Sequence, residues 1–395
     1  MILAALLLPI AIGVLLLCVQ RFRLPLFLAL MAVVVGYGIA ADMTIQSIGK
    51  AFGLGFASAL EQAGLLVVAG SLLRRLLVKE PLPAPAAAAA GVLAGLGGSA
   101  TGGLALLQAA GVGGARRTLG LALTLLVVHA LVVPAPLAVA ASSVLRSSTT
   151  ILWITLPTTA VAATAGWLFA VSSTARDRDR GRLSIKWLAV VVPLALLVVQ
   201  AIAQMPTEPL GKGGAREFYT GISHPLILLV LAVGLALVLA RRWQPETLAD
   251  TRWAPLLLTV GAAGGFARVL DETGMAELLA EYVLDPRLGL LVPFLAAAIV
   301  KTLRGNSLSA VLTASGMVEP MLPALGLDSD AGRTLAAAAA GAGSIAICHV
   351  NDPFFWIAAY MAELSPARAL RTISLGSLVV AVAALIVLVV LHLAV

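Results

Sequence analysis

Apolar residues fall along this chain in long unbroken blocks, not in the three-and-four spacing of a helix that buries one face. Blocks at 2–19 and 24–41 contain no charged side chain. Each approaches the about 20 residues that cross a hydrocarbon core as a helix. The pattern predicts a Gly-interrupted helix at 53–77, a Pro/Ala/Gly-rich stretch at 84–112, and helices at 119–140 and 149–172. A charged linker, 175–186, follows. Helices are then expected at 187–204 and 224–240, with an interrupted one at 254–282. A segment at 288–322 is broken at Arg304-Gly305-Asn306, another interrupted helix spans 334–361, and a last helix covers 369–394. No stretch between the blocks is long enough for a separate soluble domain.

The charges orient these elements. Cytoplasmic loops of membrane proteins carry an excess of Lys and Arg. If 84–112 and 288–322 are re-entrant hairpins that do not cross, 17 of the 26 Lys and Arg residues fall in inside loops. Among them are Arg21, Arg23, Arg74, Arg75, Arg116 and Arg117. Both chain ends then lie outside an inner (plasma) membrane. Each half contains five crossings and one hairpin, and an odd number of crossings inverts the second half relative to the first. The expected fold is an all-α polytopic membrane protein of two inverted repeats, 1–174 and 187–395, joined by the cytoplasmic linker at 175–186.

Composition supports this and narrows the function. The chain is 61% hydrophobic and 11% charged, against about 25% charged in soluble proteins. A net charge of +7 invites a nucleic-acid partner, but the basic residues sit in short clusters between apolar runs and no basic helix interleaved with aromatics is present. Nucleic acid is excluded as a partner. Cys18 and Cys348 both lie in apolar segments, so neither a disulfide framework nor a metal site is expected. The zinc-protease, DDxxD and GxSxG patterns of membrane-embedded enzymes are missing. No enzyme activity and no cofactor are expected.

The two halves echo one another. Gly55-Phe56-Ala57-Ser58-Ala59-Leu60-Glu61-Gln62-Ala63-Gly64 aligns with Gly265-Phe266-Ala267-Arg268-Val269-Leu270-Asp271-Glu272-Thr273-Gly274, identical at five of ten positions with an offset of 210 residues. Gly98-Ser99-Ala100-Thr101 pairs with Gly305-Asn306-Ser307, and His129 with Pro134 pairs with His349 and Pro353. The order is the same in both halves. Inverted repeats with discontinuous helices are a signature of secondary transporters.

Polar chemistry gathers at the predicted breaks. Lys301, Arg304, Gly305, Asn306 and Ser307 form the tip of the second hairpin. A cation near the bilayer centre costs at least about 2.5–3.5 kcal/mol and normally faces a partner or a cavity. Backbone N–H groups at a half-helix start add attraction for an anion. These residues are the expected carboxylate and hydroxyl site; the plainer alternative is an interfacial turn with snorkelling cations. Ser99 and Thr101 of the first hairpin, with Ser344 and Asn351, are expected to complete it. His349 and Asp352, beside Pro353, form the expected coupling-ion element. Asp352 is the expected proton carrier, and Asp271 and His129 are further candidates. Arg268 and Asp271 are spaced to pair on one helix face. Ser, Thr and Asn beside unwound carbonyls leave sodium open as an alternative coupling ion.

Gly261-Ala262-Ala263-Gly264-Gly265-Phe266-Ala267-Arg268-Val269-Leu270 resembles the GAGGAF-x-x-VL segment of the gluconate permeases, the GntP-type gluconate:proton symporters of the ion-transporter superfamily. Gly341-Ala342-Gly343-Ser344 running to His349-Val350-Asn351-Asp352 is similar to that family's GAGS…HVND segment. His129 to Pro136 is similar to its H-x-x-x-PP-x-P stretch, without the double proline. The hairpin tip departs from the family's QGSATVA: Lys301 stands at its Arg position and Arg304 at its Gln position. The resemblance implies proton-coupled import of gluconate or a related sugar or hydroxy acid, an elevator-like architecture and a homodimer in the lipid bilayer.

Overall fold

In the computed structural model the described residues, 2–77, 82–109, 114–147, 152–175, 183–240, 249 and 253–394, form helices and turns with no strand. Apolar side chains can face lipid, but backbone N–H and C=O groups cannot, so helices are the economical solution. The first half contains α1 (Ile2–Gln20), α2 (Leu26–Ala40), α3 (Ile45–Leu77), α4 (Ala84–Leu96), α5 (Ala100–Leu106), α6 (Ala115–Leu131), α7 (Pro136–Val144) and α8 (Leu152–Ser173). The second contains α9 (Leu188–Ala203), α10 (Gly214–Gly221), α11 (Pro225–Ala240), α12 (Ala254–Asp271), α13 (Met275–Glu281), α14 (Leu291–Arg304), α15 (Ser307–Val318), α16 (Asp330–Gly343), α17 (Pro353–Met361), α18 (Pro366–Ala369) and α19 (Leu375–Ala394). Among the described residues six spans are long and apolar enough to cross a membrane, or seven if α10 and α11, bent by 50°, count as one. Shorter apolar helices include Leu26–Ala40 and Ala84–Leu96.

Two expected elements differ. The helix expected to be interrupted by glycines at 53–77 is continuous over the 33 residues of α3. Its glycines allow close packing instead of breaking the helix. A Cβ on Gly55 would lie 2.3 Å from the Gly264 carbonyl oxygen and 2.6 Å from Arg268 Cβ. A Cβ on Gly264 would lie 2.4 Å from Ala59 Cβ, and Gly261 and Gly265 lie under the rings of Phe56 and Phe52. α3 and α12 therefore cross antiparallel through small residues, the usual means of close helix approach in membranes. The strongest sequence echo is this crossing, where one half's Gly-Phe-Ala segment rests on the other's. The helix expected at 119–140 is instead divided into α6 and α7 by a turn at 132–135, which contains Pro134.

The packing order is matched between halves. α1 lies on α2 and α9 on α11; α2 lies on α12 and α11 on α3; α8 lies on α19. At the centre, every residue of α6 from Arg117 to Leu131 is buried, as is every residue of α16 from Leu335 to Gly343. The linker at 175–186 falls mostly outside the described residues, as do Lys79, Arg176, Arg178, Arg180, Arg182, Arg241, Arg242 and Arg252.

Candidate functional site

Two broken helices meet in the second half. α14 stops because Gly305 turns left-handed at φ +67, a conformation glycine adopts without penalty. A side chain there would also lie 2.4 Å from the Asn351 carbonyl oxygen. Asn306 then caps α15, its side-chain oxygen accepting from the Ser309 N–H at 3.0 Å. In the facing element α16 ends at Gly343, and Pro353 opens α17 at the helix start it favours. Asp352 caps α17 by accepting from the Phe354 N–H at 2.8 Å. The stretch between is tied to α19 and the residue before it: Ser374 donates to the Cys348 carbonyl at 2.5 Å, and the Cys348 N–H donates to Ser377 at 2.9 Å.

A helix end leaves carbonyls without partners, and the break after α16 supplies partners for those of α14. The Thr302 carbonyl accepts from His349 Nε2 at 2.7 Å and from Asn351 Nδ2 at 3.1 Å, and the Leu303 carbonyl accepts from Asn351 Nδ2 at 3.0 Å. A carbonyl can only accept, so His349 Nε2 carries a hydrogen. Lys301 Nζ donates to the Gly305 carbonyl at 2.9 Å and to Asp352 Oδ2 at 2.6 Å. The side chains of this pair are only 2% and 6% exposed. Two buried atoms here have no hydrogen-bond partner, His349 Nδ1 and Asn351 Oδ1.

The structure thus joins Lys301, Gly305, His349, Asn351 and Asp352 in one cluster, with Asn306 and Ser307 at the head of α15 beside it. Two expectations change in detail. The partner of Asp352 is Lys301, and His349 bonds a backbone carbonyl instead of the carboxylate. Arg304 is not a free cation at the tip. Its Nη1 donates to Ser309 at 3.0 Å and Thr313 at 2.8 Å, its Nη2 pairs with Glu277, and its Nε faces Asp271. Asp271 also takes the expected pair with Arg268, at 2.9 Å. It belongs to this second, ionic cluster and not to the His349 one. Ser344 is buried and donates to the Gly341 carbonyl at 2.7 Å. Glu277 escaped sequence reasoning because its partner is 27 residues away on another helix.

The first half builds the same framework without charge. Ser99 caps α5, accepting from the Gly102 N–H at 3.1 Å. His129 Nδ1 donates to the Gly95 carbonyl at 2.9 Å. In each half a histidine holds the carbonyl four residues before the capping residue: Gly95 before Ser99, and Thr302 before Asn306. Thr101 is half-buried in α5. Gln108 is held by Ser71 at 2.9 Å and by the Val67 carbonyl at 3.2 Å, both from α3. α5 packs on α17, and α7 packs on α15, so each broken element of one half touches the other half. Among the described residues no three His, Cys, Asp or Glu side chains converge as metal ligands.

Broken helices with buried, mutually paired charges inside a multi-pass helical bundle are an architecture that membrane permeases use. The chain belongs to the GntP family of permeases, whose profile matches residues 2–101 and 104–394. It is 25% identical to a gluconate permease of Pseudomonas aeruginosa over 412 aligned positions, covering 90% of each chain. It is 30% identical over 193 positions to a low-affinity gluconate transporter of Escherichia coli, covering 46% of this chain and 43% of that one. It is 25% identical to an L-idonate transporter of the same species over 194 positions, 47% and 43% of the two chains. It is a multi-pass membrane transporter and not an enzyme.

Proposed function

We propose that this permease imports gluconate or a closely related sugar or hydroxy acid across the inner membrane together with protons. Its substrate site lies where the second hairpin tip meets the break before α17. The observation that carries this reading is the buried Lys301–Asp352 pair, at 2.6 Å, joining two helix breaks in a family whose relatives include gluconate permeases.

The pair supplies a coupling logic. Removing one partner of a buried ion pair costs about 3–5 kcal/mol, because the other charge is left uncompensated. A proton arriving on Asp352 would leave the Lys301 ammonium in that state. A substrate carboxylate arriving with the proton restores the balance. Each ligand then makes the other's binding easier, which is what co-transport requires. His349, with a free Nδ1, and Asn351, with a free Oδ1, offer acceptors for substrate hydroxyls. Sodium coupling has less support. The Gly305 carbonyl and the Asp352 carboxylate are oxygens of the kind a sodium ion uses, and the Lys301 ammonium already holds both.

The test is gluconate uptake by proteoliposomes in sodium-free buffer. An inward proton gradient should drive accumulation, and a protonophore should abolish it. Accumulation that requires sodium and ignores the protonophore sinks the proton reading. Asp352→Asn should lose gradient-driven accumulation while still exchanging substrate down its gradient.

Two inverted repeats, each about five crossings and one hairpin, would carry this cycle. The Arg333 guanidinium donates to the Leu145 carbonyl at the far end of the α6–α7 span from Arg116, which supports inversion. Cysteines placed at 116 and 333 should label from opposite faces of the membrane; labelling from one face counts against it. The homodimer implied by the resemblance is checked by mass measurement in detergent.

A further inference from the structure

Lys301 and Arg304 stand three residues apart in the last turn of α14 and serve different partners. Lys301 is turned inward to Asp352. Arg304 is held by two hydroxyls of its own hairpin, Ser309 and Thr313, and by two carboxylates of the preceding segment, Asp271 and Glu277.

Those two carboxylates are not equivalent. Asp271 is shared between guanidiniums, pairing with Arg268 at 2.9 Å as well as with Arg304, and its side chain is 22% exposed. Glu277 meets Arg304 through Oε1, and its Oε2 has no hydrogen-bond partner. Its side chain is 40% exposed. It rides on α13, a seven-residue helix entered through left-handed Gly274 at φ +64. Asp271 is built in; Glu277 is held at one point.

We propose that Glu277 is a resident carboxylate that occupies Arg304 between transport events and is displaced by the carboxylate of the incoming acid, which makes Glu277 a determinant of affinity and of selectivity for acids. This rests on the reading of the hairpin tip as the substrate site. A guanidinium that keeps Asp271 on Nε, carries the Glu277 carboxylate on Nη2 and has two hydroxyls alongside presents the groups that a 2-hydroxy acid would use in place of Glu277. Exchanging one carboxylate for another keeps Arg304 compensated throughout, so no step requires a bare charge in a poorly solvated place. A tethered competitor also raises the apparent Kd by the reciprocal of the fraction of time it is off. Neutral polyols, which cannot replace a carboxylate, gain nothing from its release.

Equilibrium binding of gluconate, glycerate and lactate to the purified full-length protein tests this, with sorbitol as the uncharged control. Glu277→Gln and Glu277→Ala should each tighten binding of the acids by roughly tenfold, the factor expected if Arg304 is free about a tenth of the time. Sorbitol binding should not change, and the gain should vanish in a protein that also carries Arg304→Gln. If Arg304→Gln weakens the acids while both Glu277 variants bind as the wild type or more weakly, Glu277 is structural and the inference falls while the site reading stands. If Arg304→Gln binds the acids as tightly as the wild type, or if no acid binds the wild type or the Glu277 variants, the site reading falls and takes the inference with it.

Discussion

The two broken regions share one framework and differ in chemistry. Each has a helix ending in a Gly-containing turn, a polar residue capping the next helix, and a histidine on the carbonyl four residues before that cap. The first carries no formal charge in that framework. The second has a buried ammonium and carboxylate 2.6 Å apart, and a guanidinium engaged on three sides. The framework is what a half-helix needs to satisfy its backbone in lipid. The charges exceed that need, and a buried ion pair is weak support for stability alone. The difference is what the proposed placement of the site in the second break rests on.

The largest expected effect breaks the charged pair. Lys301→Met should destabilise the purified protein by about 3–5 kcal/mol, since Asp352 is left buried and unpaired. Lys301→Met combined with Asp352→Leu should recover most of that loss in thermal melting while transport stays absent. Recovery of transport as well would mean that the pair is only structural. In the first break, Ser99→Ala removes a cap and should cost about 1 kcal/mol.

The glycines sharpen the contrast next. Gly305→Ala must adopt φ +67 and would bring its Cβ to 2.4 Å from a backbone oxygen. Strain of about 1–2 kcal/mol adds to a comparable overpacking cost, so a loss of about 2–4 kcal/mol is expected. Gly98→Ala meets only the movable end of Gln200, at 2.8 Å, and should melt close to the wild type. Equal losses would undermine the assignment of the second tip as the more tightly built one.

The histidines separate framework from function. His129→Phe and His349→Phe each leave a backbone carbonyl short of a donor, at about 1–3 kcal/mol; at Thr302 the bond from Asn351 softens this. Stability should fall in both, and less with His349→Phe. Uptake per folded molecule should fall with His349→Phe alone. An equal fall in both would place the first break in the transport site too.

Much of this was legible in the sequence, for identifiable reasons. Apolar blocks and the Gly305 and Pro353 breaks are local signals, and the structure places them where the pattern does. Glycine in a membrane helix is ambiguous between a break and a close contact, so the pattern split α3, which is continuous. Pro134 and Pro136 announced the turn between α6 and α7, but the apolar run through them outweighed that signal. Partnerships were hidden: Lys301 and Asp352 are 51 residues apart, and Arg304 is 27 from Glu277. Charge at a break can be read from one sequence; what neutralises it depends on packing.

The smallest expected effect concerns another ion pair, just beyond the opposite end of α17. Arg74 Nη2 pairs with Glu363 Oε1 at 3.0 Å, with the Arg74 guanidinium 5.8 Å over the Tyr360 ring. Glu363 is 78% exposed, and exposed pairs contribute about 0.2–1 kcal/mol. Glu363→Gln should therefore lower stability by less than about 1 kcal/mol and leave transport intact. The backbone there offers a second variant. Glu363 follows the end of α17 at φ +54, its N–H donating to the Tyr360 carbonyl at 3.2 Å while the Leu364 N–H donates to Ala359 at 2.9 Å. That arrangement commonly uses glycine. Glu363→Gly relieves about 1 kcal/mol of left-handed strain, loses the weak pair, and adds a similar entropic cost in the unfolded chain, so it should melt within about 1 kcal/mol of the wild type. If either variant abolished transport as Lys301→Met is expected to, charge at any point on α17 would matter. The contrast between a functional buried pair and an ornamental exposed one would then fail.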